Sequence, residues 1–336
     1  MKSWIILGML AFMMITMLGM SQSTDKTTLV NLMIESGMPA SAADEQVKYE
    51  VSNLSNLYKA INGKHLVATI FPTQDVVKSY GNLLLTRIGS DSDFELAMTG
   101  NNSDEKLSSM SFIEQSIMLK KSKQYVESCK ICGKNEINVS GFMPPSFDQN
   151  QDTYRALDGL GIRYDAGFQA GILFAPGHEK DVWPYKLDGH SFYAVPVSTS
   201  DLSGKKMVLQ DSYFKDNGLA ADQWHDALVG KFDEIQGKDE PLVVVLTTSV
   251  SGSGEYLDAL NSFMEYAISK KARFVTTENL VSLAESGSHD ASLLPTNVTK
   301  ECLTCNQDES LINITAFVLG NESITAINNT TEGGTF

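Results

Sequence analysis

The chain repeats one alternation. A short run of apolar and β-branched residues is followed by a longer segment with apolar positions every three or four residues. "TTLVNLMIES" reads as a buried strand, and a helix follows over about residues 42–61, with Val47, Val51, Leu54, Leu57 and Ile61 on one face. "HLVATIFPT" is the next strand, after which Asp75 is placed as the N-cap of a helix carrying Val76, Val77, Tyr80, Leu83 and Leu84. "DFELAMTG" makes a third strand, and a polar loop leads to a helix near residues 111–127. "INVSGFMPP", "IRYDAGF" and "HSFYAVPVS" are further strands, with a helix between the first two. "PLVVVLTTS" is apolar throughout, as expected of a parallel strand covered on both faces. A helix over about residues 254–270, the strand "ARFVTT" and the short helix "ENLVSLAES" complete the series.

Such repeated β-then-α units predict an α/β fold with a parallel sheet, closed into a barrel or doubly wound. No G-x-G-x-x-G or P-loop follows any strand, so a nucleotide-binding sheet would lack its phosphate cradle. Past residue 286 the composition turns to Asn, Thr, Ser and Glu, which marks a boundary. The expected organisation is an N-terminal segment over 1–23, a barrel over 27–286, and a tail over 287–336 that holds one alternating stretch, "LINITAFVLGNESITAI".

Composition sharpens this picture. The 336 residues carry a formal net charge of −15, which argues against nucleic acid as a partner. Lys2 precedes an uncharged run from Trp4 to Met20 and then polar "SQSTDK", the pattern of a secretory signal or of an uncleaved membrane anchor. Either reading predicts export, to the cell surface or beyond. Sequons at Asn53, Asn101, Asn138, Asn297, Asn313, Asn321, Asn328 and Asn329 agree with export, and five of them begin within the last 40 residues. Two Cys-x-x-Cys pairs, Cys129/Cys132 and Cys302/Cys305, have the spacing of zinc knuckles. In an exported chain they are better read as disulfide partners, within or between the pairs.

The stretch from about residue 27 to 286 resembles the polysaccharide deacetylase (NodB-homology) family. "VATIFPT" looks like that family's second strand, "DFELAMTGNNSDEKLSSMS" like the strand and loop with its metal histidines, and "GFMPPSF" like its R-P-P-Y/F turn. "GIRYDAG" looks like the following strand, and "VVVLTTS" with "FMEYAISKKARFVTTENLV" like the closing strands and helix. The resemblance implies a distorted (β/α) barrel and deacetylation of glycans by a metal-activated water. Carried over position by position, the aspartate pair falls on Glu35 and Ser36, the metal histidines on Thr99 and Ser103, the arginine on Met143, and the closing histidine on Thr247 or Thr248. No histidine occurs between His65 and His178. Hydroxyls, a methionine and a lone glutamate do not make a catalytic divalent-cation site, so no metal cofactor is expected.

Three readings follow. The first is a non-catalytic glycan-binding or cell-envelope protein that uses the old groove, with Phe147, Tyr164, Trp183 and Tyr185 as sugar-stacking candidates. The second is an active carbohydrate deacetylase or hydrolase with a rearranged site around Glu35, Asp165, His178 or His190. The third is a purely structural envelope component. A convergent carboxylate group in the groove favours the second, an aromatic-lined groove the first, and a filled groove the third.

Overall fold

The computed structural model describes residues 26–294, apart from 90, 92 and 130–136. The first half runs β1 (Leu29–Ser36), α1 (Asp44–Asn62), β2 (Ala68–Pro72), α2 (Asn82–Gly89), β3 (Phe94–Leu96), α3 (Phe112–Glu127), β4 (Gly141–Phe142), α4 (Gln151–Gly159) and β5 (Tyr164–Gln169). Next come β6 (Tyr185–Lys186), β7 (Tyr193–Val197), β8 (Thr199–Leu202), β9 (Lys205–Val208), α5 (Asp211–Asp216) and α6 (Ala221–Ile235). The chain closes with β10 (Leu242–Thr247), α7 (Thr248–Ser251), α8 (Gly254–Ser269), β11 (Arg273–Phe274) and α9 (Thr277–Ser286).

β1 pairs in parallel with β2 and with β10, Met33 lying opposite Thr69 on one side and Val245 on the other. β3 continues from β2, and β4, β5 and β7 form a second parallel set. The bridge between Met98 and Phe142 joins the two sets. The circuit is completed where Ser198 N donates to Val243 O (2.9 Å) and Gln210 bridges to Val245. The result is a distorted parallel (β/α) barrel, with the antiparallel β8–β9 hairpin attached at one side.

Strand periodicity of two divides the core. In β10, Val243 and Val245 point into the barrel while Leu242, Val244 and Leu246 meet the helices. In β1, Leu29 and Met33 point inward, and Val30, Leu32 and Ile34 outward. Both faces being buried, these strands read as unbroken apolar runs. Phe71, Met143 and Tyr164 fill the barrel interior with the valines of β7 and β10.

Helix ends follow local chemistry. Ser111 caps α3 in a reciprocal box with Glu114, whose Oε2 accepts from Ser111 N at 2.8 Å. The helical turn after β2 is capped by Thr73, whose Oγ1 accepts from Val76 N at 3.4 Å. This corrects the expected cap at Asp75. β2 ends at Pro72, so the first residue past the strand takes the capping role, and Asp75 faces Lys78 instead (3.7 Å). The structure also adds elements that the pattern did not single out: the β8–β9 hairpin, α5, and α6, which buries Trp224, Leu228, Phe232 and Ile235.

α1 carries one further consequence. Asn53 is 1% exposed, and a Cβ at Gly252 would lie 2.3 Å from the Asn53 Cβ. The sequon at Asn53 is therefore closed to a glycan in the folded chain. Asn101 is half-buried and Asn138 exposed. Asn297, Asn313, Asn321, Asn328 and Asn329 lie outside the described residues, as do the N-terminal apolar run and most of the tail. Cys129 is a free, buried thiol, pushed up to about 11 by desolvation, while Cys132, Cys302 and Cys305 lie outside the described residues. Among the described residues no helix is long and apolar enough to cross a membrane.

Candidate functional site

The carboxyl ends of the parallel strands open onto a cleft of about 570 Å³. Ligand sites of parallel α/β folds form at this end, because the loops after the strands converge there. β1 delivers Glu35, β5 delivers Gln169, and β10 delivers Thr247. The turn after β4 contributes Phe147, the segment around α5 contributes Gln210 and Tyr213, and α1 contributes Gln46, Tyr49 and Glu50 from one side of the helix.

The floor is acidic. Glu35 accepts from Gln210 Nε2 (3.3 Å), and its carboxyl is pushed up to about 7 by desolvation and then by the neighbouring charges of Asp211 and Glu50. Glu50 is 3% exposed and accepts from Ser36 Oγ (2.9 Å) and from Thr248 Oγ1. Burial raises it to about 7 despite those hydrogen bonds. Asp211 is fully buried and takes Thr247 N on both oxygens (2.9 Å each) and Ser212 N at 2.6 Å. Burial pushes it up to about 6. Glu35 and Glu50, the two that line the cleft, are thus held near neutrality, where a carboxyl can give or take a proton at pH 7.

The other candidates lie elsewhere. Asp165 is buried on β5, accepts from Gly167 N (2.8 Å), and burial pushes it up to about 7, but it does not line the cleft. His178 pairs with Asp181 (2.6 Å) and stacks on Tyr185 (3.9 Å between centroids). His190 pairs with Asp158 on α4 (2.7 Å). The two histidines thus belong to separate local pairs. Of the stacking candidates, Phe147 alone reaches the cleft. Tyr164 is buried in the barrel with its hydroxyl on Glu95 (2.5 Å), and Tyr185 is covered by His178. Trp183 stacks on His289 (3.7 Å) and donates Nε1 to Asp239 O (3.0 Å).

Glu50, which lines the cleft, and Asp211, buried beneath it against Thr247, are the carboxyls that sequence reasoning missed. Glu50 did leave a signal, since it stands three residues after Val47 and four before Leu54, on the apolar face of α1. Asp211 left none, because it follows a strand that only the tertiary pairing defines.

No family model matches the sequence, and no curated protein matches it. Solved structures do. A candidate polysaccharide deacetylase from Mycobacterium smegmatis superimposes with a TM-score of 0.61 at 16% identity, covering 83% of this chain and 96% of that one. A probable polysaccharide deacetylase from Pseudomonas aeruginosa PAO1 gives 0.61 at 16%, covering 77% and 91%. The fold is that of the polysaccharide deacetylases. PuuE allantoinase shares it as well (0.61, 15% identity, 78% and 92% covered), so the deacetylase fold by itself does not specify the reaction.

The deacetylase resemblance implies a divalent metal, and the donor set can be tested against it. Ser36 is committed to Glu50, Thr99 is buried with its Oγ1 unpartnered, Ser103 stands on the cleft wall, Met143 is packed into the barrel, and Thr247 ends β10. Glu35 is the one carboxylate of the mapped set, and the uncharged hydroxyls at the remaining ligand positions are poor ligands for a Lewis-acidic cation. Among the described residues, no group of three His, Cys, Asp or Glu side chains is arranged to hold a metal ion. The residues present do not fit the metal of the deacetylase reaction.

Proposed function

We propose that the protein binds a polysaccharide in this cleft without the metal-dependent deacetylation of its structural relatives. One observation carries the reading: the cleft remains open and lined by Tyr49, Phe147 and Tyr213 with the amides of Gln46, Gln169 and Gln210. The resemblance supports it too, since it places Thr99 and Ser103 where the deacetylases carry their metal histidines. Aromatic faces stack on sugar rings and amides bond their hydroxyls, which is the recognition chemistry of a glycan site. A purely structural role would leave the open cleft unexplained. Export, glycosylation and a cell-surface location belong to the same proposal and are supported by the N-terminal pattern and the sequons.

Titration of the purified protein with zinc, cobalt and nickel by calorimetry is expected to give no stoichiometric binding, and a glycan array is expected to give hits that Phe147→Ala weakens. Stoichiometric metal at micromolar or tighter affinity would overturn the reading. A second reading is favoured by the floor carboxyls: Glu35, poised near neutrality beside two further carboxyls, has the properties of a general acid or base in a metal-free carbohydrate hydrolase or deacetylase. Turnover of acetylated oligosaccharides in excess EDTA, lost in Glu35→Gln, would establish it. Absence of turnover leaves the binding reading in place.

A further inference from the structure

The cleft does not end at the floor. Ser103, Ser146 and Phe147 form a wall shared with a second hollow of about 540 Å³, lined further by Asp104, Glu105, Lys106 and Asp148. Each hollow is within the size range of a small-molecule site, and the two meet at a single aromatic ring.

That ring is held in place by its backbone. Ser146 and Phe147 both have positive φ, 54° and 58°. Consecutive left-handed residues without glycine are costly and persist only where the surroundings impose them. Here Pro144 and Pro145 precede them, and Asp148 pins the turn by accepting Ser108 N (2.9 Å) and Ser108 Oγ (2.6 Å). Phe147 stays half-buried, a fixed platform between the hollows.

The lining is also one-sided in charge. Asp216 lines the first hollow beside Glu35 and Glu50, whose carboxyls burial holds near neutrality, and Asp104, Glu105 and Asp148 line the second, against Lys106 alone. On an open surface such carboxylates would be ordinary solvated groups. Around an aromatic platform in a concave site they select the charge of whatever occupies it, repelling uronic acids and attracting ammonium groups.

We propose that the cleft takes an oligosaccharide bearing free amino groups, which spans both hollows across Phe147. This rests on the glycan-binding reading and narrows it to one class, a partly or fully N-deacetylated amino-sugar polymer. The length requirement comes from the two hollows, the stacking from Phe147, and the charge chiefly from Asp104, Asp148 and Asp216.

Calorimetry with a glucosamine tetramer, its fully N-acetylated counterpart, an oligouronate of equal length and free glucosamine tests each part. The amino tetramer is expected to bind roughly 10-fold tighter than the acetylated one, a difference of about 1.4 kcal/mol, and to weaken as salt rises. Free glucosamine and the oligouronate are expected to bind at least about 100-fold more weakly than the amino tetramer. Phe147→Ala is expected to weaken the tetramer about 10-fold and Phe147→Tyr to preserve it, with thermal melts confirming that both variants fold. The double variant Asp104→Asn/Asp216→Asn should erase the preference for the amino form. Equal affinity for both tetramers, or preference for the uronate, overturns the charge assignment and leaves glycan binding standing. Equal affinity for monomer and tetramer overturns the spanning mode. Binding of none of the four removes this inference, and only an empty glycan array would remove the underlying reading with it.

Discussion

Moving the protein from pH 8 to pH 5 is expected to raise its Tm by roughly 10 °C. Glu35, Glu50 and Asp165 are each pushed up to about 7, and Glu95 and Asp211 to about 6. A carboxyl whose pKa is higher folded than unfolded binds more protons in the folded state between the two values, so stability falls as pH rises through that window. The window here runs from about 4.5 to about 7. A buried group such as Glu50 shifted this far contributes on the order of 3 kcal/mol by itself. Below that window the sign reverses. Asp158 and Asp239 sit below their ordinary values because, against desolvation, hydrogen bonds from Ser191 and His190 and from Lys26 and His289 favour their charged forms. The Tm should therefore peak near pH 5. Replacing Glu50 by Gln should flatten the slope between pH 5 and 8 while keeping the acceptor for Ser36 and Thr248. A Tm that is flat or rising over that interval would refute the buried-carboxyl account.

The second large effect concerns the barrel's own polar network. Glu95 on β3 accepts from Thr69 Oγ1 (2.9 Å), from Glu278 N at the start of α9 (2.9 Å) and from the Tyr164 hydroxyl. Thr69 in turn accepts from Thr277 N (2.8 Å), and Thr277 is bonded to Asn31 on β1. One carboxylate thus ties three strands to the last helix. Glu95→Ala leaves three largely buried donors without an acceptor and is expected to cost about 3–5 kcal/mol. Glu95→Gln retains an acceptor oxygen and should cost about 1–2 kcal/mol. Chemical denaturation of the two variants decides the matter, and an alanine variant within about 1 kcal/mol of the parent would mean that the donors find other partners.

The barrel was legible because its strands are buried on both faces. β10 and β1 carry runs that only a covered parallel strand tolerates, and α1 carries its stripe from Val47 to Ile61. The site was legible in part. Glu35 was reachable from the resemblance, and Phe147 from the double proline before it. Tyr164 and Asp165 were harder, because β5 changes register against β7 between Asp165 and Phe168, and parity along the strand then ceases to tell inside from outside. His178 and His190 look paired in sequence, yet each is satisfied by a nearer carboxylate, Asp181 three residues on and Asp158 on a different element. Proximity along the chain carried no information about convergence there.

The closed environment of Asn53 reaches beyond the folded molecule, to how the protein can be produced. A glycosylating host modifies sequons on the nascent chain, before α1 has packed over Gly252. Any copy that acquires a glycan at Asn53 has lost the ability to seat α1, since the side chain is 1% exposed and has no room for a sugar. Occupancy of that sequon and native packing are mutually exclusive. A secretory host would sort its output into an unmodified folded pool and a modified pool destined for degradation, and Ser55→Ala, which removes the sequon and leaves the buried Asn53 side chain in place, would raise the secreted yield there while changing little in a host that leaves asparagine bare.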